Sequence, residues 1–278
     1  VCSSDLEYKM NVNSSYTSLP GISDVQTSSL EKIGSSLAIN SASDDASGLA
    51  IADALGLQKT SLSQTIDNMN SGIAMGNIAQ SGISSQKELL EDIRTETLKA
   101  MNGTTSEEGV NAITNQISKY IDQYEQISNS TTYNGETLLK TSDDTSDDLS
   151  IVGDESIINM EKADTTSISD QLRSALSTFT NSKDDMANML NVVDTGSTQL
   201  ASFAADFSGA TNAMESNARY SISTEKEIAL SQSTILDIDY SKEVSDFSKT
   251  NIMAQIGMMA QSQAYAIQSK SIDLLSKE

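Results

Sequence analysis

Chemistry needs reactive side chains, and this chain holds few of them. It has no histidine and one cysteine, Cys2, among 278 residues. Ser-His and Cys-His nucleophile pairs and the usual zinc sites are therefore absent. Neither a GxGxxG nor a GxxxxGK[ST] phosphate loop occurs. The paired carboxylates Asp44–Asp45 and Asp184–Asp185 remain, and each sits where a helical pattern opens. There the helix dipole favours negative charge, so both pairs read as helix starts, not as acid–base pairs. The run "SDDTSDD" (142–148) is acidic, yet it lacks the Asp-x-Asp-x-Asp-Gly loop with a distal Glu that calcium requires. It reads as a solvated loop. The expectation is a non-enzyme with no catalytic residue, no metal and no cofactor.

Composition narrows the class further. The formal net charge is −22, with aromatics at 4% and no Trp. No basic patch is available to displace counterions from nucleic acid or to meet anionic lipid. If the chain self-associates, it does so against its own charge, and salt should help. Large rings that fill thick cores are scarce, whereas 11 Met and a single Pro suit long, thin helices. A lone cysteine makes no internal disulfide. Neither a cleaved signal peptide nor a membrane span is visible. Residues 1–9, "VCSSDLEYK", fit nothing that follows and read as extra, with Met10 as the natural start.

Long helices are what the apolar spacing demands. From Ala46 to Met101, Leu55, Leu62, Ile66, Met69 and Ile73 form a coiled-coil-like stripe, continued by Ile78, Ile83, Leu90, Ile93 and Leu98. Fifty-six continuous helical residues would extend about 84 Å. Gly56, Gly72, Gly76 and Gly82 weaken the run and admit a close neighbour. "NGTTSEEG" breaks it, and Thr105 with Glu108 reads as a capping box. Val110, Ile113, Ile117, Tyr120, Ile121, Tyr124 and Ile127 give the next helix its apolar face, which ends in the turn-rich "NSTTYNG". "LSIVGDESIINM" (149–160) predicts a small hairpin. Helical pattern resumes near Ser167. A second long segment, Lys183–Ser233, carries Met186, Leu190, Val193, Leu200, Phe203, Phe207, Met214 and Ile222. The last, Ser241–Leu275, carries Val244, Phe247, Ile252, Ile256, Met259, Ile267 and Leu274. The fold class is mainly α: a long antiparallel helical bundle from the N- and C-terminal halves, with a small β region at about 136–170. Nothing within one thin subunit covers the terminal stripes on both sides, which points to neighbouring copies.

The chain resembles bacterial flagellin along nearly its whole length from about Met10. "SSLAINSASDDASGLAIA" is similar to the family's N-terminal signature. "NSGIAMGNIAQSGISSQKELLEDIR" is similar to the long rod helix, "STTYNGETLL" to the lead-in to the β region, and "ILDIDYSKEVSDFSKTNIMAQIGMMAQSQA" to the C-terminal signature. The resemblance implies a filament subunit for swimming motility, short because the large outer domains are missing. It implies a terminal helical core from 10–34 and 234–278, a spoke at 35–47 and a helical rod at 48–233. The apolar residues of the last segment would be the assembly face. Asn40, Asp44, Asp45 and Gly48 would form the spoke between core and rod. Implied partners are further copies of the chain, an export chaperone at the C-terminal segment, and hook-associated junction and cap proteins. Implied localisation is the extracellular filament, reached by the flagellar export channel without a cleaved signal.

Departures from the family pattern carry their own expectations. A basic residue and, four positions on, a leucine are what host innate receptors read in many members. Asp92 and Glu96 occupy those positions here, with Arg94 matching between them, so recognition should be weak. Ser167, Ser169, Ser174, Ser177 and Thr178 are candidates for O-linked sugars as in some members. Two other readings compete: a hook–filament junction protein sharing the terminal helices, and an unrelated secreted acidic helical binding module.

Overall fold

The computed structural model describes residues 22–102, 105–140, 149–153, 157–179 and 182–275. The first nine residues, the start of the expected core segment (10–21) and the acidic run 142–148 lie outside the described residues. Six helices are described: α1 (Ile22–Ser35), α2 (Ala42–Ala100), α3 (Glu107–Ser130), α4 (Thr166–Ser177), α5 (Lys183–Leu236) and α6 (Tyr240–Leu275). Two small antiparallel hairpins lie between α3 and α4: β1 (Thr132–Tyr133) with β2 (Glu136–Thr137), and β3 (Leu149–Val152) with β4 (Ile157–Met160). The chain divides into two compact units, one of residues 1–58 with 228–278, the other of residues 59–227.

The 59–227 unit is an antiparallel helical bundle with a conventional apolar core. Residues of α2 meet residues of α5 in reverse order: Gly72 faces Met214, Gly76 faces Thr211, and Arg94 meets Asp194. A β-carbon at Gly76 would sit 2.4 Å from the Thr211 hydroxyl oxygen, so only glycine lets the helices approach this closely. On α2 in this unit the buried positions run Leu62, Thr65, Met69, Gly72, Met75, Ala79, Ile83, Gln86, Leu90, Ile93, Thr97 and Ala100, in three- and four-residue steps. Ile78 and Leu98, assigned to this stripe from their hydrophobicity, are exposed. Ile222 on α5 is exposed too, whereas the expected Met186, Val193, Leu200, Phe207 and Met214 are buried, joined by Met189, Thr211, Ala218 and Ser221.

α3 and α4 complete this core through Ile117, Ile121, Tyr124, Ile168 and Leu172. Arg173 fastens α4 to α3 through Asp122 at 2.9 Å and Glu125 at 2.6 Å. α3 begins one residue later than a cap at Thr105 requires. Ser106 is the N-cap, its hydroxyl accepting from the Gly109 N–H, while the Thr105 hydroxyl donates to the Lys99 carbonyl. β1 and β2 turn through Asn134 and Gly135, both at positive φ (51° and 87°), the pairing a tight hairpin favours. In the second hairpin Ile151 pairs with Ile158, and both pack on the core, whereas Val152 and Ile157 pair on the solvent side.

At the centre lies a polar knot. Gln86 is fully buried, and its Nε2 donates to Ser128 Oγ at 2.7 Å and Thr165 Oγ1 at 3.0 Å. Thr165 Oγ1 in turn donates to the Leu139 carbonyl at 2.8 Å. One side chain of α2 thereby ties α3 to the residue that precedes α4, which in turn holds the bend after β2. The amide oxygen of Gln86 has no partner among the described residues. Burial also pushes the Tyr124 hydroxyl well above its usual pKa.

The other unit is built differently. Its only buried apolar side chains among the described residues are Ala52 and Ile228. α1 packs on α6, but the buried residues of that contact are Ser29 and Thr250. Small polar residues allow the helices to touch while contributing little apolar burial.

Candidate assembly interface

The residues expected to form the spoke share one arrangement of short side-chain caps. α1 ends at Ser35, and Ser36 takes the left-handed conformation (φ 64°) that terminates helices. Leu37 then pairs as an isolated antiparallel bridge with Asp237. The Ala38 N–H donates to the Leu236 carbonyl at 2.6 Å, and the Ile238 N–H to the Ser36 carbonyl at 3.3 Å. Tyr240 locks this clasp. Its hydroxyl donates to the Ile33 carbonyl at 2.7 Å and meets Ser36 Oγ at 3.2 Å.

Each of the adjacent aspartates has its own task. Asp44 Oδ2 accepts from the Asn40 N–H, the Ser41 N–H and the Ser41 hydroxyl. Those bonds, the Asn40 N–H foremost, hold its carboxyl below the usual carboxylate range. Asp45 is extended (φ −161°), and its Oδ1 accepts from the N–H groups of Ser47 and Gly48 at 3.0 Å each. It is thus the working N-cap of the long helix, as acidic residues at a helix start predict. Gly48 is buried beneath this cap, and a β-carbon there would collide with Asp45 and Ile39 at 2.7 Å. Asn40, Asp44, Asp45 and Gly48 are therefore brought together as one turn.

On α6, apolar residues outnumber the places that cover them. Val244, Ile252, Ile256, Met259 and Ile267 are exposed, and Phe247 is half-buried; the side chain of Leu274 lies outside the described residues. Sequence spacing missed Met253, Met258 and Tyr265, which are also exposed. From Met258 to Ser271 every residue is exposed. At about 100° per residue, Ile252, Ile256, Met259 and Ile267 share one stripe, and Met258 and Tyr265 fall on roughly the opposite side. A helix apolar on opposite sides belongs in an interior. On α1, Val25 and Leu30 are exposed as well. Charge on the facing stretch of α6 is locally balanced: Asp246 lies 3.3 Å from both Lys242 and Lys249, and these bonds, Lys249 first, lower its pKa.

Of the receptor-position residues on α2, Asp92 is exposed, Arg94 pairs with Asp194 of α5 at 2.7 Å, and Glu96 pairs with Lys99 at 2.7 Å. Among the proposed sugar-bearing residues, Ser169 is buried and its hydroxyl donates to the Thr166 carbonyl, which removes it from the candidates. Among the described residues, no group of three or more acidic, His or Cys side chains could hold a metal ion, and no helix is long and apolar enough to cross a membrane.

Two family models match the chain, one at each end. The bacterial flagellin N-terminal helical region matches residues 7–144, and the bacterial flagellin C-terminal helical region matches residues 190–275. The chain belongs to the bacterial flagellin family. Flagellin A of Helicobacter mustelae is 37% identical over 129 residues, 46% of this chain and 26% of that protein. The matched segment thus spans about a quarter of that relative's length. The flagellin of Halalkalibacterium halodurans is 27% identical over 244 residues, 84% of this chain and 86% of its own. A solved structure from Vibrio parahaemolyticus, described as a flagellar hook-associated protein, superposes with a TM-score of 0.63 at 13% identity, over 70% of this chain and all of that one. That likeness shows the fold alone. The two matched regions include α1, the clasp and α6, whose apolar residues Val25, Leu30, Ile252, Ile256, Met259 and Ile267 are exposed.

Proposed function

We propose that this chain is a structural subunit that polymerises into the bacterial flagellar filament for swimming motility. One observation carries the reading: α6 exposes apolar side chains on opposite sides, which a single partner helix cannot cover. Copies of the chain on more than one side satisfy it. Residues 10–34 and 234–278 form the terminal helical core in the filament, 35–47 the spoke and 48–233 the rod. The subunit is a structural protein, not an enzyme. It leaves the cell through the flagellar export channel without a cleaved signal, held beforehand by a chaperone on its C-terminal segment, and assembles beyond hook-associated junction proteins beneath a cap. Asp92 and Glu96, acidic where a basic residue and a leucine are read, weaken contact with the host receptor, and the pairing of Arg94 with Asp194 supports this. Purified protein is seeded, or treated with precipitating salt, and imaged by electron microscopy. Long filaments are expected. A junction protein would give short adaptors at most, and a compact unassociated particle in every condition overturns the proposal.

A further inference from the structure

The methionines fall into two populations. Met69, Met75, Met160, Met186, Met189 and Met214 are at most 5% exposed, all in the core of the 59–227 unit, where Met101 is partly buried. Met253, Met258 and Met259 are 55%, 59% and 70% exposed. Among the described residues, every exposed methionine therefore stands on α6. Met259 lies in the stripe with Ile252 and Ile256, Met258 lies near the opposite side with Tyr265, and Met253 faces a third direction, beside the groove between α1 and α6.

Thioether oxidation requires the oxidant to reach sulfur. A sulfur lone pair attacks one oxygen of a peroxide, the S–O bond forms as the O–O bond breaks, and the departing hydroxide takes up the remaining proton. Sulfoxide and water result, with sulfur oxidised and peroxide reduced. Buried sulfurs wait for unfolding, whereas exposed ones react at once. The product is a polar, chiral group in place of a flexible apolar one, and methionine sulfoxide reductases reverse the change. On α6 the new oxygen dipoles would be stripped of water on association, and apolar neighbours offer no donor in exchange.

We propose that Met253, Met258 and Met259 are selective peroxide-oxidation sites whose conversion to sulfoxides blocks self-association of the chain, reversibly. The effect on association rests on the filament reading; the site assignment does not.

The test treats the purified full-length chain with dilute hydrogen peroxide and maps added oxygen by peptide mass. One half is then seeded and pelleted, and the other is first reduced with methionine sulfoxide reductases A and B. Oxygen should appear on Met253, Met258 and Met259 well before Met69, Met189 or Met214. The concentration needed for pelleting should rise roughly tenfold or more and return after reduction. A Met253→Leu, Met258→Leu, Met259→Leu variant should pellet normally and resist peroxide. Even labelling of core and α6 methionines overturns the site assignment. Normal pelleting of the oxidised chain, or equal loss in the leucine variant, overturns the blocking role. Untreated protein that never pellets overturns the filament reading and the blocking role with it, and the peptide map alone then decides the sites.

Discussion

Replacing Ile256 by alanine tests whether α6 is covered by other copies. Ile256 is 60% exposed in the single chain, so about three-fifths of its surface remains to be buried. The change deletes three carbon groups at about 0.8 kcal/mol each, or about 2.4 kcal/mol for complete burial. Three-fifths of that is about 1.4 kcal/mol, a tenfold factor in an equilibrium constant. Alanine is the better helix former, so α6 itself is not weakened. The critical concentration for seeded polymerisation, read by sedimentation, should therefore rise about tenfold, while thermal unfolding of the unassembled chain stays unchanged. Tyr265→Ala, on the opposite side and 48% exposed, should raise it at least as much. If either variant polymerises within twofold of the parent concentration, that side of α6 is not covered in the assembled state. Should both do so, the reasoning fails.

Gln86→Leu removes an unmet amide oxygen along with its donors, and Ser128 and Thr165 keep each other at 2.7 Å, so the loss should be under about 1.5 kcal/mol. Gln86→Ala adds a cavity and should cost roughly 2–4 kcal/mol in urea unfolding, clearly more than the leucine variant. Asp45→Ala deletes the side-chain cap from Ser47 and Gly48 and should cost about 1 kcal/mol in thermal unfolding, with Asp45→Asn recovering most of it. The Asp44 carboxyl is held below its ordinary value of 3.8, so its contribution is present above that pH and lost as pH falls through the lowered folded value. An NMR titration of Asp44 should show a midpoint below 3.8, and Asn40→Pro, which removes the leading donor, should move it upward.

The long helices were legible because only one proline interrupts the chain and apolar residues recur at three and four. Hydropathy placed Leu90 and Ile93 in the core correctly, yet it drew Ile78 and Leu98 in as well. The heptad positions they displaced belong to Met75 and Ala79, and to Gln86 and Thr97, which are polar and so invisible to an apolar count. Gln86 is buried only because Ser128 and Thr165 come from distant parts of the chain to receive its protons. The Leu149–Met160 hairpin was readable from its two short β-like runs. The β1–β2 turn announced itself only as Asn134-Gly135, without a strand-length pattern on either side. At the candidate interface, the stripe of Ile252, Ile256, Met259 and Ile267 followed from spacing, whereas the opposite side at Met258 and Tyr265 required knowing that both stay exposed among the described residues. The spoke read as plain and polar. The Asp44 and Asp45 caps order it locally, whereas its tie to Tyr240 and the Leu37–Asp237 bridge are contacts no local pattern could reveal.

The Tyr240 hydroxyl reaches residues 204 and 207 positions earlier in the chain. Translation delivers those positions first, so α1 must wait for nearly the whole polypeptide before its mate exists. Throughout that interval α1 has no α6 to pack on, and a product cut before Tyr240 lacks the latch. The tyrosine thus fastens the end of α1 only once residue 240 has been made.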